Sequence, residues 1–467
     1  MKNIISLVAY ISAITTAFLC SIALYVTDYA SLFFLPIAYF FAYQILKRLY
    51  RDNPRYRITI SVILILLWVR MVFIPYYGTI TGKYYISQSD SAELIQTAIL
   101  LSIYECFIIC GTIFIICKIS LQKSLMSNQP ILRGNRGIYR ILIIIAALVF
   151  IFIGRHYNLL EFGIKSVEAG AEREGDIVDT RIILIRQIVS CGYLFLFFCL
   201  IEKYRKKYNL FHNRKYITYA IILAALMTCI IIGERRTAQV YIAFASCWLL
   251  IRTYPDSKQR IVTIIGSTAF TILTLMTVYK HFNAFLYDSY AEALQNAALK
   301  DGMSAGMIDA YFYGVDTIKT NLKYAQYANL SILNVLYDIA RSIFGVHFIF
   351  KSEMLMTSQA YNSYLYQGTQ LTGYLLSSSG YGYIHLGFLF APIFTSMNIC
   401  IMSFLETRMR ICKSIEMCYI LAYIYMRFAF GCLGSLPPLI GASTMFLFIK
   451  GLIFMTAKLF TKHNYVT

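Results

Sequence analysis

Apolar residues along this chain fall in long runs, and each run ends at a short segment of basic or turn-forming residues. A helix of about 20 apolar residues spans the hydrocarbon of a membrane, where an exposed backbone would find no water to bind. The pattern therefore predicts an all-α polytopic integral membrane protein in which residues 1–467 form a single membrane domain. Twelve transmembrane helices are predicted, near residues 4–26, 31–46, 58–78, 94–117, 138–154, 182–201, 216–233, 237–251, 261–279, 381–403, 416–437 and 439–457.

Two predicted loops, residues 155–181 and residues 280–380, are much longer than the others. The smaller loop is acidic and contains three glycines, which is typical of a solvated segment without regular structure. The larger loop has helical patterns of its own, because Ser331 is placed to cap a helix that is apolar along one face and ends before Gly345. Since that helix is amphipathic and only moderately charged, we expect it to lie along the membrane surface.

The composition agrees with a membrane protein, since 59% of the residues are hydrophobic and the mean hydropathy is +0.62. The first apolar run, Ile4 to Val26, is longer than the core of a signal peptide and has no clear small-residue cleavage pattern. We interpret it as a retained first span. The net charge of +19 does not indicate nucleic-acid binding, because no basic stretch is long enough to form a separate domain.

The basic residues instead predict the orientation of the chain. Most of the Lys and Arg residues outside the spans fall in short loops such as residues 47–57, 118–140 and 203–215. Lys and Arg accumulate in the cytoplasmic loops of membrane proteins. We therefore expect both termini in the cytoplasm and both long loops on the outer side.

The twelve cysteines show neither a disulfide framework nor a metal-binding pattern. The large outer loop contains no cysteine, and Cys106 and Cys110, one helical turn apart, have no histidine or carboxylate pattern beside them. We expect the cysteines to act as small buried apolar residues, and we predict no metal site.

Charged residues inside spans are costly, so each one needs a structural or functional reason. Arg70 and Glu105 lie at comparable depth on consecutive antiparallel spans, which predicts a structural ion pair. Arg186, one turn inside the outer end of its span, is placed to meet an anionic headgroup from outside, and Arg427 lies mid-span. Lys450 lies nearer the inner half of the last span, from which its side chain can extend to the inner surface.

The short turn between the spans at residues 216–233 and 237–251 carries Arg235 and Arg236 on the predicted outer side, against the usual distribution of positive charge. One guanidinium group can bind two phosphate oxygens at once, and this contact is stronger where the dielectric constant is low. A lipid diphosphate is therefore one partner that these arginines fit. The alternative is that they neutralise Glu234 and ordinary lipid phosphates.

Two stretches of the chain resemble a known family. The first is the turn Gly233-Glu234-Arg235, which is followed by one more span and then by the dominant outer loop. The second is Ser377-Ser378-Ser379-Gly380-Tyr381-Gly382-Tyr383-Ile384-His385-Leu386-Gly387-Phe388, a small-polar and aromatic segment that re-enters the membrane after that loop. Together with the architecture they are similar to the Wzy family of bacterial oligosaccharide repeat-unit polymerases, the O-antigen polymerases.

The resemblance implies a membrane glycosyltransferase with a GT-C-like fold in the bacterial inner membrane. Such an enzyme joins undecaprenyl-diphosphate-linked repeat units into O-antigen or capsule, with one lipid-linked glycan as donor and another as acceptor. It requires no metal, no nucleotide sugar and no other cofactor. The bilayer, a chain-length regulator and a flippase are its expected partners.

The residues supply candidates for each step of that chemistry. Departure of a lipid diphosphate builds negative charge, which fixed cations at the outer interface would stabilise. Our candidates for this role are Arg235, Arg236, Arg186 and Arg427. A general base would help the attacking hydroxyl, and the leading candidates are His347 and His385. Each histidine also fits a purely structural role, and the competing carboxylates are Asp288, Asp309, Asp316, Asp338 and Glu353.

Other features of the sequence depart from this picture or leave alternatives open. Some polymerases carry an Arg-x10-Gly pattern in outer loops, but here Gly192, which follows Arg181 at that spacing, lies inside a predicted span and the match is interpreted as coincidence. O-antigen ligases carry Gly-x-x-Thr-Gly after a histidine, whereas Gly368, Thr372 and Gly373 have one residue too many. A flippase would have short outer loops and two similar halves, and this chain shows neither. A structural or sensing membrane protein is the third alternative.

Overall fold

The computed structural model describes residues 2–85, 91–119, 129–153, 160–162, 180–232, 237–282, 305–328, 331–346, 349, 354–371 and 373–463. Five candidate residues lie outside these ranges: Arg235, Arg236, Asp288, His347 and Glu353. Most of the predicted loop 155–181 and residues 283–304 of the larger loop also lie outside them. The regular structure of the described chain is helical, apart from two strands of three residues each.

The first ten helices are α1 Lys2–Ala23, α2 Phe34–Asp52, α3 Arg57–Trp68, α4 Ile74–Ile80, α5 Ala92–Ile119, α6 Arg136–Phe152, α7 Thr180–Phe211, α8 Lys215–Cys229, α9 Thr237–Thr253 and α10 Lys258–Phe282. The described part of the large predicted loop contains α11 Ala305–Tyr311, α12 Val315–Ala325, α13 Ile332–Ser342 and α14 Thr357–Leu365. The last helices are α15 Ser378–Phe390, α16 Ile393–Ile411, α17 Ile415–Phe430 and α18 Leu436–His463. The two strands are β1 Leu160–Phe162 and β2 Ile230–Ile232.

The chain folds as two compact units, and each unit is assembled from three separate stretches of sequence. Unit 1 consists of Met1–Ser124, Asp301–Thr407 and Phe428–Thr444, and unit 2 consists of Leu125–Lys300, Arg408–Arg427 and Met445–Thr467. Each unit is therefore built by contacts between residues that are far apart in sequence.

Six helical segments of the described chain are long and apolar enough to cross a membrane: Ile4–Ala23, Ala30–Asp52, Pro54–Ile80, Ala92–Ile119, Leu184–Phe211 and Leu436–Thr461. The pair α15 and α16 gives a seventh if it is counted as one broken span. The described chain is thus mainly helical and contains six or seven segments that could cross a membrane, in agreement with the predicted class. Each of the twelve predicted segments contains helix, although the segment 216–233 ends in strand β2 and the segment 416–437 is interrupted after Phe430. The count of twelve crossings also depends on shorter or more polar helices and stays a prediction.

The first helix illustrates how the sequence separates a lipid-facing side from a packed side. Large apolar residues recur every three or four positions on one side of α1 and are more than half exposed: Ile4, Leu7, Ile11, Ile14, Phe18 and Ile22. The small residues Ala13 and Cys20 are buried where α1 packs against α2 and α4. A continuous apolar row of this kind is typical of a surface in contact with lipid rather than with water.

The predicted ion pair between Arg70 and Glu105 is confirmed. Arg70 Nη1 donates to Glu105 Oε2 at 2.6 Å, and both side chains are buried. Arg70 lies in a π-helical turn, Val69–Phe73, between α3 and α4, and the hydroxyl of Thr395 in α16 donates to the other oxygen of Glu105. The carboxylate therefore joins α5 to the helix pair α3–α4 and to α16.

The predicted span 381–403 is wrong as a single straight helix, because the chain turns by 110° between α15 and α16. Gly387 has φ 73° and ψ −176°, a conformation essentially restricted to glycine, and Pro392 in the connection has no N–H to continue the helical hydrogen bonds. The chain folds back so closely that a Cβ at Gly382 would lie 2.0 Å from the carbonyl oxygen of Ala391. The segment is a broken span or a re-entrant loop.

In unit 2, α6 and α7 pack with close contact between their backbones. A Cβ at Gly192 in α7 would lie 2.1 Å from Cβ of Ala146 in α6. Small residues let membrane helices approach each other in this way. Gly192 therefore has a packing role, which agrees with interpreting its spacing from Arg181 as coincidence.

A two-stranded ribbon in unit 2 was not predicted. Strand β1 lies within the loop 155–181 and pairs antiparallel with β2, so that Leu160 is opposite Ile232. Part of this loop is therefore regular structure, contrary to the prediction. The ribbon ends at Ile232, directly before the turn that carries the predicted arginine pair.

Contacts in unit 1 join loops that were predicted to lie on the same side of the membrane. The hydroxyl of Tyr29 donates to Asp316, and both residues belong to segments predicted outside. The guanidinium of Arg55 donates to Thr407, and both belong to segments predicted inside. These pairings agree with the predicted sides of the four segments relative to one another, while the orientation of the termini stays a prediction.

The predicted amphipathic helix of the large loop is confirmed as α13. The Asn334 side-chain oxygen accepts hydrogen bonds from the N–H and the hydroxyl of Ser331, the residue before the helix. Leu333 and Leu336 are more than half exposed, whereas Asp338 on the other side is buried. This exposed apolar side agrees with the expectation that the helix lies along a membrane surface.

Candidate active site

Four charged residues of unit 1, Lys83, Asp309, Asp316 and Lys319, come together in a group that we call the acid–lysine cluster. Lys83 opens a short 3-10 turn after α4, Asp309 lies in α11, and the other two are one helical turn apart in α12. At most 16% of any of these side chains is exposed. Charges at this depth persist only when they are paired, and these four pair with one another.

The two lysines hold Asp316 from opposite oxygens. Lys83 Nζ forms an ion pair with Asp316 Oδ2 and lies 3.7 Å from Asp309 Oδ2. Lys319 Nζ lies 3.4 Å from Asp316 Oδ1, and the hydroxyl of Tyr29 donates to that oxygen at 2.6 Å. Lys83 is therefore shared by both carboxylates, and Asp316 by both lysines.

The carboxylates of Asp309 and Asp316 differ in their hydrogen bonds and in their exposure. The N–H and the hydroxyl of Thr317 each donate to Asp309 Oδ1 at 2.9 Å, and only 1% of the Asp309 side chain is exposed. Asp316 and Lys83 are each 16% exposed. Asp309 is thus locked in place, and Asp316 and Lys83 are the less deeply buried members of the cluster, although Lys83 Nζ and Asp316 Oδ2 are themselves buried.

These contacts shift the pKa values of the cluster in opposite directions. Burial raises the pKa of Asp309, and the nearby charge of Lys83 offsets this only in part. Burial alone would also raise the pKa of Asp316, but Lys83, Lys319 and the hydrogen bond from Tyr29 outweigh it and hold that pKa below the ordinary aspartate value. Burial would lower the pKa of Lys83, but its two aspartates raise it overall. Asp316 and Lys83 are therefore both charged at neutral pH.

Aromatic rings form one wall of the acid–lysine cluster. Lys83 Nζ lies 5.6 Å from the centroid of the Tyr84 ring, and that ring packs against Tyr29 with centroids 4.6 Å apart. Burial raises the pKa of Tyr84 well above its ordinary value, so its hydroxyl stays protonated. This hydroxyl is buried and has no hydrogen-bond partner among the described residues. A bound water or a polar ligand would satisfy it.

The candidate base His385 lies in a second buried network of unit 1. Its Nδ1 is 3.1 Å from the carbonyl oxygen of Ser331, and its Nε2 is 3.1 Å from the hydroxyl of Thr357. A carbonyl oxygen only accepts, so Nδ1 carries the proton and the Nε2 of the neutral ring accepts from Thr357. Asp338 accepts from the Thr357 N–H at 3.1 Å and from the Tyr381 hydroxyl at 3.0 Å. Both nitrogens of His385 are thus engaged in joining α13, α14 and α15.

Of the four predicted diphosphate-binding arginines, the structure describes Arg186 in α7 and Arg427 in α17, both in unit 2. The guanidinium carbon of Arg427 lies 5.7 Å from the centroid of the Tyr241 ring, a cation–π contact. Tyr241 belongs to α9, which begins at Thr237 directly after the turn that carries the other two arginines. Arg427 is therefore near the start of the helix that follows that turn.

Lys450 does not extend to the inner surface as predicted, because only 1% of it is exposed. Its Nζ donates to Gln187 Oε1 at 3.1 Å and lies 3.1 Å from Cys191 Sγ, both in α7. Polar partners on a neighbouring helix thus hold this lysine inside unit 2. Gln187 directly follows Arg186, so Lys450 adds a second cation to this part of α7.

Asp309 and Asp316 are among the carboxylates predicted as competing bases, but the two lysines that pair with them were not predicted. Asp316 and Lys319 have the i, i+3 spacing of a helical ion pair, which is a readable signal. Lys83 gave no such signal, because both of its partners lie in a different and distant part of the chain.

Comparisons with family models, with curated proteins and with solved structures find no match for this chain. The resemblance to the Wzy polymerases therefore rests on its two short stretches of sequence and on the predicted architecture.

Proposed function

We propose that this protein is a membrane glycosyltransferase that joins undecaprenyl-diphosphate-linked oligosaccharide repeat units into a surface polysaccharide at the outer face of the bacterial inner membrane. The observation that carries the proposal is the acid–lysine cluster. Its residues come from separate segments that the charge distribution assigns to the outer side, and they combine carboxylates with two lysines. Transfer of a glycan from a lipid diphosphate requires a base that accepts the proton of the attacking hydroxyl and fixed cations that stabilise the leaving diphosphate.

In the proposed reaction, a hydroxyl of the acceptor glycan attacks the anomeric carbon of the donor glycan. The new glycosidic bond forms as the bond from that carbon to the diphosphate oxygen breaks. The hydroxyl proton passes to a protein base, and the electron pair of the broken bond leaves with the undecaprenyl diphosphate. No oxidant, reductant or nucleotide sugar takes part.

Asp316 is our candidate for the base. It is ionised, partly exposed and held between two lysines, which would keep their charge as negative charge develops on the leaving diphosphate. Asp309 is better suited to fix Lys83, because it is buried and bound by Thr317. His385 stays the alternative base, with its two nitrogens placed beside the Ser331 carbonyl and the Thr357 hydroxyl.

The arginines Arg235, Arg236, Arg186 and Arg427 are a second and separate set of cations that fit a lipid diphosphate. The contact between Arg427 and Tyr241 supports their grouping, since Tyr241 lies one to two turns into the helix that follows Arg236. Mutagenesis of each set decides which one receives the leaving group.

The finer architecture belongs to the same proposal. Twelve membrane crossings, a GT-C-like fold and two cytoplasmic termini would bring the acid–lysine cluster to the side of the membrane where lipid-linked repeat units are assembled into polymer. The donor and the acceptor would both be undecaprenyl-diphosphate-linked glycans, delivered by a flippase, and a chain-length regulator would be a further partner.

Deletion of the gene tests the function. A polymerase deletion leaves single repeat units on their acceptor in place of a ladder of long chains, and complementation restores the ladder on a gel of surface glycan. If lipid-linked units accumulate instead on the cytoplasmic leaflet, the protein is a flippase. If polymer builds up on the carrier lipid without reaching its final acceptor, it is a ligase.

Two sets of variants test the cations in the complemented strain. We expect Arg235→Ala or Arg236→Ala to abolish chain extension while the protein is still expressed. Lys83→Met tests the acid–lysine cluster in the same assay, and the exposed Lys203→Met serves as a matched control. Polymer of normal length in both arginine variants removes these residues from the site, and normal length in Lys83→Met removes the cluster.

A further inference from the structure

Unit 2 contains an open cleft of about 300 Å³ that the proposed reaction does not use. Seven residues line it, of which Arg133, Lys413 and Lys458 are basic and none is acidic. Residues 120–128, which precede this region in the sequence, also contain no Asp or Glu. The remaining walls include the apolar side chains of Met417 and Phe454. The cleft thus combines concentrated positive charge with an apolar wall.

Backbone hydrogen bonds join three parts of the chain into the frame of this cleft. The N–H of Ile131 donates to the carbonyl oxygen of Lys413 at 3.1 Å, and the N–H of Ile415 donates back to Ile131 at 3.0 Å. The N–H of Asn135 donates to the carbonyl oxygen of Ala457 in α18 at 3.0 Å. The basic side chains are therefore carried by a defined frame and not by unconnected loops.

Buried charged groups behind the cleft form hydrogen bonds within the protein. The carboxylate of Glu416 is fully buried and accepts hydrogen bonds from the N–H groups of Arg133 and Gly134 and from the hydroxyls of Tyr139 and Ser414. The guanidinium of Arg252 is turned to the carbonyl oxygens of the α16–α17 connection, including that of Cys412 at 3.0 Å. The side chains of Arg133, Lys413 and Lys458, in contrast, are exposed and available to an anion.

The outer surface of α18 beside the cleft is apolar. Four of its residues are half exposed or more: Leu452, Met455, Leu459 and Phe460. They belong to the end of a segment long and apolar enough to cross a membrane, Leu436–Thr461, and Lys458 lies in its last turn. A molecule with an anionic head in the cleft could therefore extend acyl chains along the same helix.

We propose that this cleft binds the headgroup of an anionic phospholipid, with the phosphate held by Arg133, Lys413 and Lys458 and the acyl chains along α18. Basic pockets between membrane helices bind anionic lipid headgroups by this combination of charge and apolar surface. Free inorganic phosphate would use only the charged part of the cleft. The inference is independent of the proposed polymerase function.

Cys412 lines the cleft and supplies a direct readout, because a bound lipid covers its thiol. The full-length protein is placed in nanodiscs of phosphatidylcholine with or without phosphatidylglycerol, and alkylation of Cys412 by N-ethylmaleimide is measured by peptide mass spectrometry. We expect phosphatidylglycerol to slow the alkylation. The variant Arg133→Gln/Lys413→Gln/Lys458→Gln should require about a hundredfold more phosphatidylglycerol for the same protection, since each basic residue contributes about 1 kcal/mol. Cys412→Ser identifies the labelled peptide.

The control variant Arg48→Gln/Lys203→Gln/Lys206→Gln removes the same charge from exposed positions that are also predicted inside, and it should keep the protection. Equal protection by phosphatidylcholine alone, or full protection in the cleft variant, would overturn the proposal. Protection by inorganic phosphate in detergent without phosphatidylglycerol would assign the cleft to a free anion instead. Because the three replaced side chains are exposed, the cleft variant is expected to fold, and its elution in size-exclusion chromatography verifies this.

Discussion

At neutral pH the carboxylate of Asp316 is ionised and lies between two lysines. We expect Asp316→Asn to lower the polymerisation rate about 10²- to 10⁴-fold, which is the range that a general base contributes. Short ladders or single repeat units on a gel of surface glycan would report the loss. Glu93→Gln is the matched control, because it makes the same carboxylate-to-amide change at an exposed residue of a segment predicted outside. A normal ladder with Asp316→Asn protein in the membrane would exclude Asp316 as the base.

The pH dependence of polymerisation by purified protein separates the candidate bases. A base works only when deprotonated, so activity is lost as the pH falls through its pKa. The pKa of Asp316 is lowered from 3.8, so activity should persist well below pH 6, whereas a histidine base with an ordinary pKa of about 6.5 would lose it there. Any activity left in Lys83→Met should be lost at a higher pH, because removal of that cation raises the pKa of Asp316. A loss centred between pH 6 and 7 would favour a histidine.

At the same scale, the sequence could identify residues but not all of their partners. The pair Arg70–Glu105 was predictable because an unpaired charge in a span is costly and the two spans are consecutive. Asp316 was one of five competing carboxylates, and nothing in the sequence ranked it. Its distinguishing feature is contact with Lys83 and Tyr29, which lie in distant segments and come together only when unit 1 folds.

At the scale of elements, Glu105 connects α5 to the π-helical turn after α3 and to α16. Removing one member of a buried pair leaves an uncompensated charge, so we expect Glu105→Leu to destabilise the protein by about 3 to 5 kcal/mol. The double variant Arg70→Met/Glu105→Leu should cost much less, because no charge is left unpaired. Thermal unfolding of the purified protein in detergent measures both. If the double variant unfolds at the same temperature as Glu105→Leu or at a lower one, the unpaired charge of Arg70 is not the cause of the lost stability.

The bend between α15 and α16 gives a second prediction for elements. A methyl group at Gly382 would collide with the backbone of Ala391, and overpacking of this kind costs about 1 to 3 kcal/mol. We therefore expect Gly382→Ala to lower the thermal midpoint. Gly111→Ala, in the middle of α5, adds a Cβ that has no atom within 4 Å beyond its chain neighbours and the backbone of its own helix, so it should leave the midpoint unchanged or raise it. Equal midpoints for the two variants would mean that the chain does not fold back against Gly382.

This bend also explains where prediction of the elements succeeded and where it failed. The apolar runs were sufficient to predict helices at all twelve positions, and the Ser331 signal was sufficient for α13. The helix direction at residues 381–403 was not predictable, because hydropathy is the same for a straight and a folded segment. The information lies in the contact between Gly382 and Ala391 and in the backbone of Gly387, which the pattern of apolar residues does not contain.

For the whole molecule, the decisive property is the side of the membrane on which each loop lies. The proposed function requires the acid–lysine cluster outside, whereas the basic residues of the cleft in unit 2, Arg133, Lys413 and Lys458, belong to segments predicted inside. Tyr327 and Asp256 are suitable positions for reporting the side of the membrane. Tyr327 lies just after α12, the helix that carries Asp316 and Lys319, and Asp256 lies in the turn between α9 and α10. Both are exposed in the structure.

We expect a cysteine at Tyr327 to react with a membrane-impermeant maleimide in intact cells, and a cysteine at Asp256 to react only after the inner membrane is permeabilised. The reason is that the basic loops stay in the cytoplasm, and Asp256 lies in a short loop with Arg252, Lys258 and Arg260. The unmodified protein, whose own cysteines are mostly buried, provides the background. If Asp256→Cys is labelled from outside and Tyr327→Cys is not, the acid–lysine cluster faces the cytoplasm. Transfer from lipid-linked repeat units at the outer face would then be impossible at that site.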